Sequence, residues 1–211
     1  MTTLEAPAAW ETVPFLENGD VLHAREFLRR FERMPDVKKA ELIEGIVYMG
    51  SPVSVKHAEA DSLIQGWLLA YAAKNKQVRV AANVTVQMDP ENTVQPDALL
   101  RLLPEHGGEC RPGEKGYLRG APELIVEIAA SSASVDLHDK RRAYERNGVK
   151  EYLVWRVLEG QLDWFRLEGD EYVKRTPDPA GLIRSSAFPG LNLNVPALLA
   201  GDSEAVLLEA R

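Results

Sequence analysis

The run PELIVEIAA, residues 122–130, has the length and near-continuous apolar character of a fully buried central strand, and Glu127 interrupts it. A carboxylate in that position loses its hydration, which is costly unless a partner charge or a bound cation compensates it. Asp97 poses the same problem in QPDALL, flanked by Val94, Ala98, Leu99 and Leu100. If the two strands pair, both carboxylates point into one cavity, where they repel unless a proton or a hard cation sits between them. Mg²⁺, or Mn²⁺ in its place, suits such a site because it takes a few carboxylate oxygens and completes its shell with water. A cation held there supplies what phosphodiester hydrolysis needs: it polarises a phosphoryl oxygen, acidifies an attacking water and offsets charge on the leaving oxygen. A nearby ammonium completes the set. Asp136, Lys140 and Tyr144 recur at i, i+4 and i+8, near one face of a helix, from which Lys140 can reach back toward the cation. There it orients the water or stabilises charge on the phosphate in the transition state. The competing reading is a surface Asp136–Lys140 ion pair worth only a few tenths of a kcal/mol. The residues alone leave both open.

Several elements must position these groups. Asp20 precedes VLHAREFLRRFERM, whose Leu22, Phe27, Leu28 and Phe31 fall at near-helical spacing, with Asp20 as its N-cap and Pro35-Asp36 as its end. KAELIEGIVYMGSP reads as a hairpin turning at Glu44-Gly45. In SVKHAEADSLIQGWLLAYAAKN, the residues His57, Asp61, Ile64, Leu68 and Tyr71 share a helical face. The alternation in VRVAANVTVQM predicts one strand over 78–88, followed after Asp89-Pro90-Glu91-Asn92 by a second, TVQPDALLRLL, interrupted at Pro96. Beyond the buried strand, VDLHDKRRAYERNG is a helix ending at Asn147-Gly148. EYLVWRV, QLDWFRL and EYVKRT then form an antiparallel meander. The class is α/β, a mixed central sheet flanked by helices with a C-terminal meander. Residues 1–18 read as an irregular arm, 19–200 as one domain and 201–211 as a tail.

At 211 residues, 45% hydrophobic and 27% charged, the chain has the composition of a folded globular protein. Its single cysteine, Cys110, lies in HGGECRPGEKG, which reads as an exposed loop, and a lone thiol with no partner fits a reducing compartment. No leader-like or membrane-spanning run is visible, so the expected location is cytoplasmic. The formal net charge of −7 works against phosphate binding, which draws on Lys and Arg. Carboxylates neutralised by a cation lessen that objection. Lys74, Lys76, Arg79, Arg141, Arg142 and Lys150 are available to line a groove.

The ordered set ELIEG, SPVSVKH, QPDALL, APELIVEIAASSASVDLHDKRRAYERNGVKEYLVW and AFPGLNLNV resembles the Uma2 group of restriction-endonuclease-like proteins, over residues 41–195. Members of that group look like PD-(D/E)xK nucleases whose lysine has moved from the strand to the following helix. This accounts for the missing lysine in Glu127-Ile128-Ala129. The resemblance implies Asp97 and Glu127 as metal ligands, Lys140 as the catalytic cation, and Glu41 and His57 near the site. For the last two, a solvated Glu beside a turn and a structural, hydrogen-bonded His are the competing readings. Asp136 can orient Lys140, Tyr144 can simply pack, and Gln95 can face the cavity of Asp97. One departure stands out: Arg156 follows LVW where the group's pattern has an acid, which puts in doubt a substrate or partner contact from that end of the sheet.

Two functions follow. A metal-dependent endonuclease acting on nucleic acid, with DNA the expected partner, uses the triad as chemistry. A catalytically inactive binding or assembly protein of the same fold uses it as a salt bridge, and the acidic balance favours that alternative. A serine or cysteine hydrolase lacks support, since Ser131, Ser132 and Ser134 sit in no GxSxG turn and Cys110 has only His106 nearby. Four histidines and one cysteine show no zinc-ligand spacing. A homodimer is the expected assembly, since two sites would serve two strands.

Overall fold

The computed structural model describes residues 13–130 and 132–210; most of the expected N-terminal arm, and Ser131, lie outside the described residues. The first helix, α1 (Ala24–Phe31), is capped at His23 with no side-chain bond. Asp20 is therefore not its N-cap: its carboxylate instead accepts from the Glu17 N–H at 3.0 Å and pairs with Arg30 at 3.3 Å. The hairpin β1 (Ala40–Ile43) and β2 (Ile46–Met49) turns as expected at Glu44-Gly45, both left-handed with φ of 50° and 78°. Positive φ at both central residues matches the twist of the flanking strands. The long helix α2 (Val55–Lys74) is capped by the Ser54 hydroxyl and buries Ala60, Ile64, Trp67, Leu68 and Tyr71.

The alternating run 78–88 is two strands, β3 (Val78–Ala82) and β4 (Val86–Asp89), and they belong to different sheets. Asn83 breaks it in the left-handed region at φ 51°, a conformation asparagine tolerates, and its N–H turns to the Pro96 carbonyl at 3.1 Å. The next run divides opposite that break. β5 (Asn92–Val94) and β6 (Ala98–Leu102) part at Gln95-Pro96-Asp97, where proline cannot donate to a ladder. Strands that switch sheets at a bend make a corner, and Asp97 stands on it.

The intervening loop carries the short strands β7 (Arg111–Pro112) and β8 (Leu118–Arg119). Next comes β9 (Leu124–Ala129), buried at all six positions. After it, α3 (Ala133–Val135), a π-helical turn (Asp136–Lys140) and α4 (Arg141–Arg146) run on as one helix, with Gly148 at φ 78° just beyond its end. The meander is β10 (Glu151–Arg156), β11 (Gln161–Glu168) and β12 (Glu171–Arg175). A small pair, β13 (Leu182–Arg184) and β14 (Asn192–Asn194), leads to α5 (Val195–Ala200) and α6 (Ser203–Leu208). The last of these falls within the stretch 201–211, and Val206 and Ala210 there are buried.

The central sheet runs β12-β11-β10-β9-β6-β3, with β9 and β10 parallel and the other neighbours antiparallel; a second sheet runs β2-β1-β5-β4-β8-β7. The crossover from β9 to β10 through α3 and α4 is what permits that parallel pair. On one face of the central sheet α2, α5 and α6 enclose Trp67, Tyr71, Trp164 and Phe188; a second cluster holds Leu99, Ile125, Tyr144, Tyr152 and Phe165. Trp67 is fully buried, meets Trp164 edge to face at 6.2 Å and donates its indole N–H to the Asn192 carbonyl at 2.7 Å. Trp67→Ala is expected to cost about 3–5 kcal/mol through lost transfer energy and the cavity left behind, read as a lower urea midpoint.

Cys110 is buried rather than exposed, in the cluster with Val86, Leu99 and Leu118. Its loop folds back on β6: Arg101 donates to the Cys110 carbonyl at 3.1 Å, and a Cβ on Gly108 would stand 2.1 Å from the Leu102 carbonyl oxygen. Gly108 there serves close backbone approach. Burial pushes the thiol up to about 11, so little of the reactive thiolate exists at neutral pH. Cys110 should resist a disulfide reagent in the native protein and react at once in denaturant; rapid native labelling would contradict this burial.

Candidate active site

The corner and the buried strand bring the two suspect carboxylates together. Pairing of Ala98 with Val126 carries Asp97 to the Glu127-Ile128 end of β9, where the Ile128 N–H donates to Asp97 Oδ2 at 2.8 Å. Glu127 lies one register step beyond Val126 and is 2% exposed. The helix crossing back over the sheet delivers Lys140, whose Nζ stands 2.9 Å from Glu41 Oε2, 3.0 Å from Glu127 Oε1 and 3.5 Å from Asp136 Oδ1. A surface Asp136–Lys140 pair is thereby excluded, because both side chains are buried. Wide turns of this kind inside helices occur often at functional sites, and here the Tyr152 hydroxyl donates to the Asp136 carbonyl at 2.9 Å. One helical turn further on, the Tyr144 hydroxyl donates to Glu127 Oε1 at 2.7 Å, so it does more than pack.

Glu41 is buried, not solvated beside its turn, and its other oxygen accepts the Gln95 N–H at 2.8 Å. The Gln95 side-chain oxygen accepts from the Ala40 N–H at 3.1 Å. His57, in the first turn of α2, places Nε2 3.8 Å from Asp97 Oδ1. Asp97, Glu127, Lys140, Glu41 and His57 therefore converge. One member escaped the sequence reading: Lys39, whose Nζ lies 3.0 Å from Asp97 Oδ1. No local pattern marks it, since it precedes β1 and its partner is 58 residues further along the chain.

Four carboxylates and two ammonium groups thus occupy one largely dry space. Burial drives Glu127 up to about 8, against the pull of Lys140. It raises Asp136 as well. For Lys140, burial works toward neutrality, but Glu127, Glu41 and Asp136 outweigh it and hold the ammonium well above its ordinary value. Among the described residues no three His, Cys, Asp or Glu side chains converge as a ready metal cage. Lys140 lies within ion-pair reach of three of the acids, Glu41, Glu127 and Asp136.

The proposed groove cations are mostly spoken for. Lys74 donates to the Ala210 carbonyl, Arg79 to the carbonyls of Lys76 and Val78, Arg142 pairs with Glu44 and Asp139, and Arg141 lies over the Phe165 ring. Arg156, at the unexpected position after LVW, is tied to Asp163 at 2.8 Å and to Glu159.

The architecture is a mixed α/β sheet with one acid at the corner before β6, another within β9 and a lysine on the returning helix. The Uma2 family model, described as a putative restriction endonuclease, matches residues 25–196, and the chain belongs to that family. A crystal structure of a putative nuclease belonging to DUF820 from Anabaena variabilis ATCC 29413 is similar in fold, with a TM-score of 0.65 and 17% identity. That likeness covers 82% of this chain and 97% of the other. The type IIG restriction endonuclease BpuSI gives a TM-score of 0.40 and 11% identity over 77% of this chain and 18% of its own. No curated protein matches.

Proposed function

We propose that this protein is a metal-dependent endonuclease that hydrolyses phosphodiester bonds in nucleic acid, with DNA as its substrate. The observation that carries the reading is the buried convergence of Asp97, at the corner bonded to the Ile128 N–H, and Glu127 on β9, with Lys140 against Glu127. Their oxygens are hard donors, two carboxylates fit an ion that keeps several waters, and Mg²⁺ or Mn²⁺ is that ion. When bound, it would polarise a phosphoryl oxygen and acidify a water. Around it, Tyr144 and Lys140 fix the orientation of Glu127, and the Ile128 N–H fixes that of Asp97. Lys140 is held protonated, so its role is positive charge beside the reacting phosphate rather than proton abstraction. In the reaction the water oxygen bonds to phosphorus, one ester P–O bond breaks, and the proton lost by water is matched by one gained by the leaving oxygen.

A second reading has an observation of its own. Lys140 satisfies Glu41, Glu127 and Asp136 internally, as it would in a non-catalytic binding protein that kept the fold. Cleavage of supercoiled plasmid, single-stranded DNA and RNA with Mn²⁺ or Mg²⁺ separates the two, together with Mn²⁺-dependent thermal stabilisation, which linkage requires of a binding site. Inert protein that Mn²⁺ does not stabilise would leave the binding role. A cytoplasmic homodimer completes the proposal, and sedimentation tests the assembly; no described helix is long and apolar enough to cross a membrane.

A further inference from the structure

The two ammonium groups of the site differ in access. Lys140 is 5% exposed and spends its donors on three carboxylates. Lys39, just before β1, has 31% of its side chain exposed and Nζ against Asp97 Oδ1. His57, 20% exposed, stands near the same oxygen, whereas the side chains of Asp97, Glu41, Glu127 and Asp136 are at most 9% exposed. The site therefore opens on the side of Lys39 and His57, and any substrate reaches Asp97 past them.

Lys39 is also held in place by its backbone. The Gly50 N–H donates to the Lys39 carbonyl at 2.9 Å, and a Cβ on Gly50 would stand 2.9 Å from both that oxygen and Lys39 Cβ. The bare Gly50, just past β2, leaves room for the lysine stem beside it. An ammonium carries three N–H donors on a flexible stem, and Asp97 takes one of them.

Resting on the metal-nuclease reading, we propose that Lys39 is the substrate-facing cation of the site. In the free protein its ammonium neutralises Asp97. When Asp97 turns to the divalent ion, Lys39 passes to a non-bridging oxygen of the scissile phosphate, where its charge follows the charge that develops in the transition state. The buried Lys140 and the more exposed Lys39 then both place positive charge at the reacting group.

The test uses Lys39→Met and Lys39→Arg in the full chain, with Mn²⁺ affinity by titration calorimetry and single-turnover cleavage of supercoiled plasmid. Removing an ammonium that competes for Asp97 should tighten Mn²⁺ binding by about fivefold. The same variant should slow cleavage by about a hundredfold at saturating plasmid, and Lys39→Arg should recover part of the rate. A Lys39 that only neutralises Asp97 would tighten Mn²⁺ without slowing cleavage, and that result overturns the proposal, as does unchanged or weakened Mn²⁺ binding in Lys39→Met. Wild-type protein that binds no Mn²⁺ overturns this role and the metal reading together, and is distinguished by appearing before any substitution is made.

Discussion

Asp97→Asn and Glu127→Gln are expected to lose cleavage by at least about a thousandfold while remaining folded. Both substitutions keep side-chain volume and remove the charge that would hold a divalent ion. The amide oxygen that replaces a carboxylate oxygen of Asp97 can still accept the Ile128 N–H, and the one that replaces a carboxylate oxygen of Glu127 can still accept from Tyr144, so the corner and the sheet survive. The loss should therefore fall on Mn²⁺ affinity and rate, with urea midpoints near the wild type. Lys140→Ala belongs in the same series, but its folding must be checked first, because it leaves three carboxylates without their shared cation. Single-turnover cleavage of supercoiled plasmid, read beside circular dichroism, measures both quantities. Wild-type rates in Asp97→Asn and Glu127→Gln would falsify the assignment and move the chemistry elsewhere in the molecule.

The site was legible where a single residue violated its surroundings. An acid within LIVEIAA cannot be neutral background, and that violation identified Glu127 before any contact was known. Glu41 gave no such sign: it sits near a turn, and its buried partner Lys140 lies about a hundred residues further along the chain, a pairing that no local pattern encodes. Lys39 was missed for the same reason, its partner lying on β6's approach. The fold was legible in its hairpin, its buried strand and its meander, where turn chemistry and periodicity agree. It was not legible at the corner. Alternation continues unbroken through Asn83, so period alone predicts one strand, yet the left-handed backbone at that residue sends β3 and β4 into different sheets. Proline at the matching point did signal an interruption. That corner, rather than either strand by itself, is what delivers Asp97 to Glu127.

Lys140→Met should be the most destabilising substitution in the site, by about 3–5 kcal/mol near neutral pH, because breaking a buried ion cluster strands the charges left behind. The sign of its pH dependence follows from Glu127. In the wild type the folded value of about 8 lies above the ordinary 4.5, so between those limits the folded chain holds a proton that the unfolded chain has released. That contribution to stability is fully present below about 4.5 and is lost as pH rises through about 8. Wild-type stability should accordingly decline from mildly acid to alkaline pH, and Glu127→Gln, which cannot titrate, should lack that part of the decline. Without Lys140 the attraction opposing burial disappears, so Glu127 and Asp136 are driven further up. Lys140→Met should then approach wild-type stability in acid, where its carboxylates are protonated, and fall away more steeply toward alkaline pH. Urea denaturation of the three proteins at acid, neutral and alkaline pH measures these slopes. Parallel slopes for wild type and Lys140→Met would mean that the acids are solvated, contrary to the geometry. The same proton must leave before Glu127 can bind a cation, so Mn²⁺ affinity should climb with pH and level off above about 8. Acid conditions thus favour the folded, metal-free chain and alkaline conditions its loaded form, with Glu127 as the group on which both depend.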